Sequence, residues 1–350
     1  MSYSIDDTRV KQITELISPA DLLRLLPISS AVEKLVYSSR QTIREIIKGN
    51  DPRLLVVVGP CSIHDPLAAI EYAGILKTWQ VKFEKELFIV MRVYFEKPRT
   101  TVGWKGLIND PHLDDSFDIH QGLKIARKLL LEIGELGVPT ATEFLDMIIP
   151  QYITDSISWA AIGARTTESQ VHRELASGLS SPVGFKNGTD GNIKIAVDAV
   201  QTAAGAHHFL GVTKEGRSAI VSTTGNPDGH IILRGGITPN YDKESVEESA
   251  KQLTSTNLTA RVMIDFSHAN SAKDYRKQIL AAESVSQQLK ERSKSILGVM
   301  IESNLVEGKQ ELTSSKELKY GQSITDSCVG IEETEKILGL LADAVRANFL

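Results

Sequence analysis

The chain has 350 residues, enough for one large domain or two small ones. A hydrophobic share of 41% supports a sizeable core, and a formal net charge of -5 gives no general pull toward nucleic acid or an anionic membrane. No apolar run approaches the ~20 residues of a membrane-spanning helix, the polar start Met1-Ser2-Tyr3-Ser4-Ile5-Asp6-Asp7 does not read as a secretory signal, and two cysteines, Cys61 and Cys328, make no disulfide framework, so the expected compartment is the cytoplasm.

Residues 1–50 differ from the rest. Segments 19–26 and 32–47 carry apolar residues at helical spacing, as in Leu35, Ile43, Ile46 and Ile47, and Gly49-Asn50-Asp51-Pro52 then breaks the chain. The reading is an N-terminal helical extension over 1–50 and a catalytic unit over 51–350. In that unit short apolar, β-branched runs recur at 54–58, 87–93, 140–145, 159–163, 183–185, 230–233, 262–266 and 297–301. Most gaps can hold a helix, for example 122–134 and 246–253. Strands alternating with helices indicate parallel α/β architecture, and strands buried on both faces read as continuous apolar runs. Eight such runs predict a closed (β/α)8 TIM barrel. Two further strand-like runs flank Lys214-Glu215-Gly216-Arg217 and predict an inserted β-hairpin at about 207–224, between the fifth and sixth barrel strands.

Each apolar run ends in polar residues, and in a barrel these ends meet at the face where active sites lie. Arg92, Lys97, Arg99, Arg165, Lys186 and Arg234 would converge there. Six cations repel one another unless anions bind among them, so the reading is one or two ligands with several negative charges. The plainer alternative is that each pairs with a local acid such as Glu96 or Glu143. Cys61, His268, Glu302 and Asp326 fall at the first, seventh and eighth strand ends and in the loop after the eighth. One thiolate, one imidazole and two carboxylates suit a divalent ion, Mn2+, Fe2+, Co2+ or Zn2+. His64, in the same loop as Cys61, competes with His268. Gly225-Asn226-Pro227 and residues 186–191 are turn signals. The chain contains no Walker loop and no GxGxxG after a strand, so no nucleotide cofactor is expected.

Residues 59–66, 91–110, 162–178, 182–191, 231–236, 263–270 and 323–328 are similar to the type I microbial form of 3-deoxy-D-arabino-heptulosonate 7-phosphate (DAHP) synthase. The likeness spans nearly the whole chain and is weakest at the N-terminus, 284–296, 309–319 and the last few residues. It implies a metal-dependent condensation of phosphoenolpyruvate with erythrose 4-phosphate, the first step of the shikimate pathway. It implies metal ligands at Cys61, His268, Glu302 and Asp326. It implies phosphoenolpyruvate contacts at Arg92, Lys97, Arg165, Lys186 and Arg234, with Glu143, the Ala164 backbone and, less directly, Lys105 nearby. Arg99 and Thr100 would hold the phosphate of the aldose. Cys61, His268 and Lys97 would carry the chemistry, with Lys97 protonating the new alkoxide.

The resemblance also implies a feedback site for an aromatic amino acid, built from the hairpin and the N-terminal extension. Its matching positions are Met147, Pro150, Gln151, Leu175, Leu179, Ser180, Phe209, Gly211 and Val221, with Asp7 from a neighbouring subunit of a dimer or tetramer. Phenylalanine-sensitive relatives carry Ser where this chain has Gly211, which favours tyrosine, although Glu143-Phe144-Leu145-Asp146-Met147 is closer to the phenylalanine type. Two alternatives are a 3-deoxy-D-manno-octulosonate 8-phosphate synthase, disfavoured by Lys97-Pro98-Arg99-Thr100, and a non-catalytic aromatic amino-acid sensor, disfavoured by the intact ligand set.

Overall fold

The computed structural model describes residues 3–99, 103–312 and 317–348. The eight expected strands form, and they close. In chain order they are β1 (Leu54–Gly59), β2 (Leu87–Arg92), β3 (Thr140–Glu143), β4 (Trp159–Ile162) and β5 (Val183–Lys186). The inserted hairpin follows as β6 (His208–Val212) and β7 (Ser218–Ser222), and β8 (Gly229–Leu233), β9 (Val262–Asp265) and β10 (Ile296–Glu302) complete the set. The barrel order is β1-β10-β9-β8-β5-β4-β3-β2, with neighbouring barrel strands parallel.

Side-chain alternation along each strand divides the apolar residues between two layers. Leu54, Val56 and Val58 pack outward against helices, while Leu55 and Val57 join Val90, Ala141, Trp159, Ala161, Ile232, Met263 and Met300 inside the barrel. Continuing the inward series by one step gives Arg92, Glu143, Lys186, Arg234, Asp265 and Glu302 at the ends of six strands, and Gly59 and Gly163 at those of β1 and β4. The polar mouth therefore has the same parity as the apolar filling beneath it.

Two helices precede the barrel, α1 (Pro19–Leu25) and α2 (Ser30–Lys48). In α2 the Ser29 hydroxyl accepts the Val32 N–H at 3.2 Å, and Gly49 ends the helix in the left-handed region at φ +81. Ile43, Ile46 and Ile47 are buried with the barrel-filling residues, so α2 caps the barrel interior from outside the strand series. Burying each such side chain contributes ~1.5–3 kcal/mol.

The remaining helices are α3 (Pro66–Lys82), α4 (Ile119–Glu135), the four-residue α5 (Pro150–Ile153), α6 (Gln170–Gly178), α7 (Lys194–Ala204), α8 (Lys243–Ser255), α9 (Gln278–Lys290) and α10 (Ile331–Arg346). The hairpin pairs Phe209 with Val221 and Gly211 with Ala219, and its turn is tied to α1 by the Ala20 N–H donating to the Lys214 carbonyl at 2.6 Å. One element escaped the periodicity reading, a small pair of β11 (Val306–Lys309) and β12 (Gln322–Ser323) after the last barrel strand. Its strands are too short and polar to register as a run, yet they carry the chain to Asp326.

Candidate active site

Asp326 returns to the barrel mouth through that small sheet. The Cys61 loop is joined to it by a 2.7 Å hydrogen bond between the hydroxyls of Ser62 and Thr325, and the Asp326 N–H donates to Cys61 Sγ at 3.4 Å. Cys61, Glu302 and Asp326 bring one ligand atom each within 4.8 Å of one another, and His268 Nε2 stands 3.8 Å from Glu302 Oε1. Neither imidazole belongs to this group of described residues, His268 lying at its edge beside Glu302 and His64 in the Cys61 loop. The donor set fits a divalent transition ion, a thiol and an imidazole giving it softer ligands than calcium or magnesium takes. His268 sits at φ +59, a costly conformation for a non-glycine residue, of the kind that persists where function requires it.

Burial pushes the Cys61 thiol up, Glu302 adds to this and Lys97 opposes it. Lys97 Nζ lies 3.1 Å from Cys61 Sγ and 3.3 Å from the Cys61 carbonyl. Burial works against its charge, but the Cys61 sulfur and Glu302 outweigh burial and hold the ammonium above the ordinary lysine range. Lys97 is thus kept as a proton carrier beside the ligand cluster.

The six cations do not behave alike. Arg92 is fully buried: Nε donates to the Pro60 carbonyl at 3.0 Å, one terminal nitrogen donates to the Cys61 carbonyl at 3.2 Å and Glu302 Oε1 at 2.9 Å, and its plane lies over the Tyr94 ring at 3.5 Å. The other terminal nitrogen meets the Met300 sulfur at 3.1 Å. Lys186 is held by Glu143 at 3.2 Å and Asp265 at 3.5 Å. Burial raises Glu143, but Lys186, Lys97 and Arg92 together keep its carboxyl below the ordinary range. Gly163 makes room for that carboxylate, since a Cβ there would stand 2.5 Å from Glu143 Oε1.

Arg165 and Arg234 form no ion pair among the described residues. Burial lowers the Arg234 guanidinium, Asp265 opposes this and Arg165 adds to it. Two guanidinium groups that feel each other's charge and lack ion pairs among the described residues suit an anion. Ala164 is half-buried beside Arg165. Arg99 is exposed and donates from Nε to the Trp104 carbonyl at 2.8 Å, and Thr100 lies outside the described residues. Lys105 is exposed, and only its carbonyl meets the site segment, accepting the Lys97 N–H at 2.9 Å.

Several supports were not singled out by sequence reading. Gln278, fully buried at the start of α9, clamps the Glu302 backbone with both ends of its amide, at 2.9 and 3.1 Å. Asn187 accepts the Arg234 N–H at 2.8 Å, and Asn270 donates to the Asp265 carbonyl at 2.7 Å. Asp265 itself lies on the inward series and could have been found by strand parity.

A second cavity, of roughly 240 Å³, lies under the hairpin. It is lined by Met147, Pro150, Gln151, Leu175, Leu179, Ser180, Phe209, Gly211 and Val221, together with Thr154, Gly178, Leu210, Val212 and Lys214. Asp7 is exposed on the N-terminal arm and does not line this chain's own cavity.

Residues 28–339 match the family model described as the DAHP synthetase I family. A relative from Escherichia coli (strain K12), the Phe-sensitive phospho-2-dehydro-3-deoxyheptonate aldolase, is 60% identical over 348 residues, covering 99% of each chain. The Trp-sensitive phospho-2-dehydro-3-deoxyheptonate aldolase of Enterobacter agglomerans is 55% identical over 97% of this chain and 98% of its own length. A solved phospho-2-dehydro-3-deoxyheptonate aldolase from Francisella tularensis SCHU S4 superposes with a TM-score of 0.95 at 54% identity, covering 97% of this chain and 99% of that one.

Proposed function

We infer the reaction from one premise: this chain belongs to the DAHP synthetase I family. It is a transferase that joins phosphoenolpyruvate to erythrose 4-phosphate, consuming water and releasing DAHP and inorganic phosphate. The observation that carries this reading is the ligand cluster of Cys61, Glu302 and Asp326 with Lys97 on one side and the unpaired Arg165 and Arg234 in the same mouth. Family membership leaves the octulosonate synthase and the non-catalytic sensor without support.

Arg165, Lys186 and Arg234 hold the phosphate and carboxylate of phosphoenolpyruvate. Arg92 acts one step behind, keeping the Cys61 loop and Glu302 in place. Arg99 and Thr100 take the phosphate of the aldose and so set its aldehyde toward the enolpyruvate. A new bond forms between C3 of phosphoenolpyruvate and the aldehyde carbon. Lys97 gives its proton to the resulting alkoxide, a transfer typically worth about 10² to 10⁴ in rate. Water adds at C2 and phosphate departs with its bridging oxygen. Holding two anions at contact distance contributes more, on the order of 7–11 kcal/mol for well-oriented reactants. Cys61, His268, Glu302 and Asp326 would hold a divalent ion, Mn2+, Fe2+, Co2+ or Zn2+, which supplies Lewis acidity at the aldehyde oxygen.

The hairpin cavity is read as a feedback site for an aromatic amino acid, its apolar lining taking the ring and Gln151 and Ser180 offering polar groups. Tyrosine is favoured over phenylalanine by Gly211, where the missing side chain leaves room for a phenol oxygen. Residues 1–50 act in regulation and assembly, the protein works as a homodimer or homotetramer with Asp7 reaching a neighbour's cavity, and its place is the cytoplasm. Among the described residues no helix is long and apolar enough to cross a membrane.

The test is an assay of chelator-stripped protein with both substrates. Activity should vanish on stripping and return with added Mn2+, and Cys61→Ala should stay folded yet inactive with any of the four metals. A fully active, metal-independent Cys61→Ala enzyme would sink the metal assignment.

A further inference from the structure

Asp265 is the one inward carboxylate at the barrel mouth that neither the ligand set nor the substrate contacts employ. It is fully buried on β9. Its Oδ1 accepts the Ser267 N–H at 3.0 Å and the Ser267 hydroxyl at 2.6 Å. Its Oδ2 has no partner of normal hydrogen-bond geometry among the described residues, yet stands 2.9 Å from His268 Nδ1 and 3.5 Å from Lys186 Nζ. A buried carboxylate oxygen so placed serves as counter-charge to those two groups.

The proton arrangement around His268 follows from these distances. The Ser267 hydroxyl also lies 2.8 Å from His268 Nδ1. Its single proton is committed to Asp265 Oδ1 at 2.6 Å, so toward the imidazole it presents a lone pair. Both neighbours of Nδ1 are then acceptors, and Nδ1 must carry the hydrogen. Nε2 is left with its lone pair, and Nε2 is the nitrogen that faces Glu302 at 3.8 Å.

We propose that Asp265 is a positioning residue that fixes the tautomer and orientation of His268 for a divalent ion, and that its second function is to fix Lys186 opposite Glu143. One buried carboxylate would thus tie the metal half of the mouth to the phosphoenolpyruvate half. The proposal rests on the reading of Cys61, His268, Glu302 and Asp326 as metal ligands. Carboxylates that orient a ligating histidine are typically worth about 10- to 100-fold in metal affinity.

Two measurements test it. In metal-free wild-type protein labelled with ¹⁵N-histidine at alkaline pH, the signal lost in His268→Gln should be that of an Nδ1–H tautomer; an Nε2–H tautomer overturns the proposal without requiring any Asp265 variant to fold. Calorimetric titration with Mn2+ should give a Kd about 10- to 100-fold weaker for Asp265→Asn than for wild type. Ser267→Ala should be weakened as well, because the Ser267 hydroxyl that Asp265 orients is the hydrogen-bond partner of His268 Nδ1. A Kd for Asp265→Asn within twofold of wild type, with the metal-free protein folded, shows that the residue only supports the barrel and overturns the proposal. If wild type itself takes no Mn2+ in a manner abolished by Cys61→Ser, the ligand reading fails instead, and the tautomer measurement tells the two failures apart.

Discussion

Glu96 shows how far one buried group can depart from its sequence appearance. It reads as a local partner for the cations around it, yet it forms no ion pair among the described residues. Its carboxyl accepts the main-chain N–H groups of Asp146 at 3.0 Å and Leu145 at 3.4 Å. Burial, with Asp146 and Glu143 adding to it, pushes it up to about 8 from an ordinary 4.5. A raised carboxyl binds more protons in the folded than in the unfolded chain between those values, so its contribution to stability is full below pH 4.5 and is lost as pH rises through about 8. For one group the slope cannot exceed about 1.4 kcal/mol per pH unit. Glu96→Gln, which cannot ionise, should therefore gain melting temperature relative to wild type as pH is raised across that window. Thermal denaturation of both proteins across the range checks it, and a constant difference would show that Glu96 does not titrate there.

At the scale of elements, the barrel strands were legible because both faces are buried, which writes them as unbroken apolar runs. The hairpin was legible from its Gly-containing turn and flanking β-branched residues. The β11–β12 pair was not, because two-to-four-residue strands leave no period to read. The hairpin also decides the shape of the second cavity. Gly211 on β6 faces Val221 of β7 so closely that a Cβ would stand 2.8 Å from Val221 Cγ2. Gly211→Ser should push Val221 aside and shrink the space above Phe209. On the tyrosine reading, this substitution weakens inhibition by tyrosine at least about tenfold, a loss of ~1.4 kcal/mol, and relatively favours phenylalanine. Inhibition curves with each aromatic amino acid would decide it, and unchanged tyrosine sensitivity would remove Gly211 as a determinant.

For the molecule as a whole, two surfaces are at odds with a lone chain in water. The N-terminal arm exposes Tyr3, Ile5 and Ile13, and the outer face of the hairpin exposes Leu210 and Ile220, which are 86% and 75% accessible and directly paired across the strands. Contiguous exposed apolar residues mark contact surfaces. On the proposed homo-oligomer reading, a second copy covers them and brings an arm carrying Asp7 toward the hairpin cavity. Ile13→Asp combined with Ile220→Asp should lower the mass measured by light scattering to that of a smaller assembly. A mass unchanged by both charges would place the subunit contact elsewhere.

Taken by itself, the sequence determined the closed α/β barrel, the insertion after its fifth strand and the gathering of polar residues at the strand ends. These are consequences of hydrophobic period, which is local along the chain. Tertiary structure alone decided which charges neutralise one another. Arg92 pairs with Glu302 and Lys186 with Glu143 and Asp265, while Arg165 and Arg234 stay without ion pairs among the described residues. Such pairings depend on distances of a few ångströms between strands far apart in the chain, and a charge sequence carries no record of those distances.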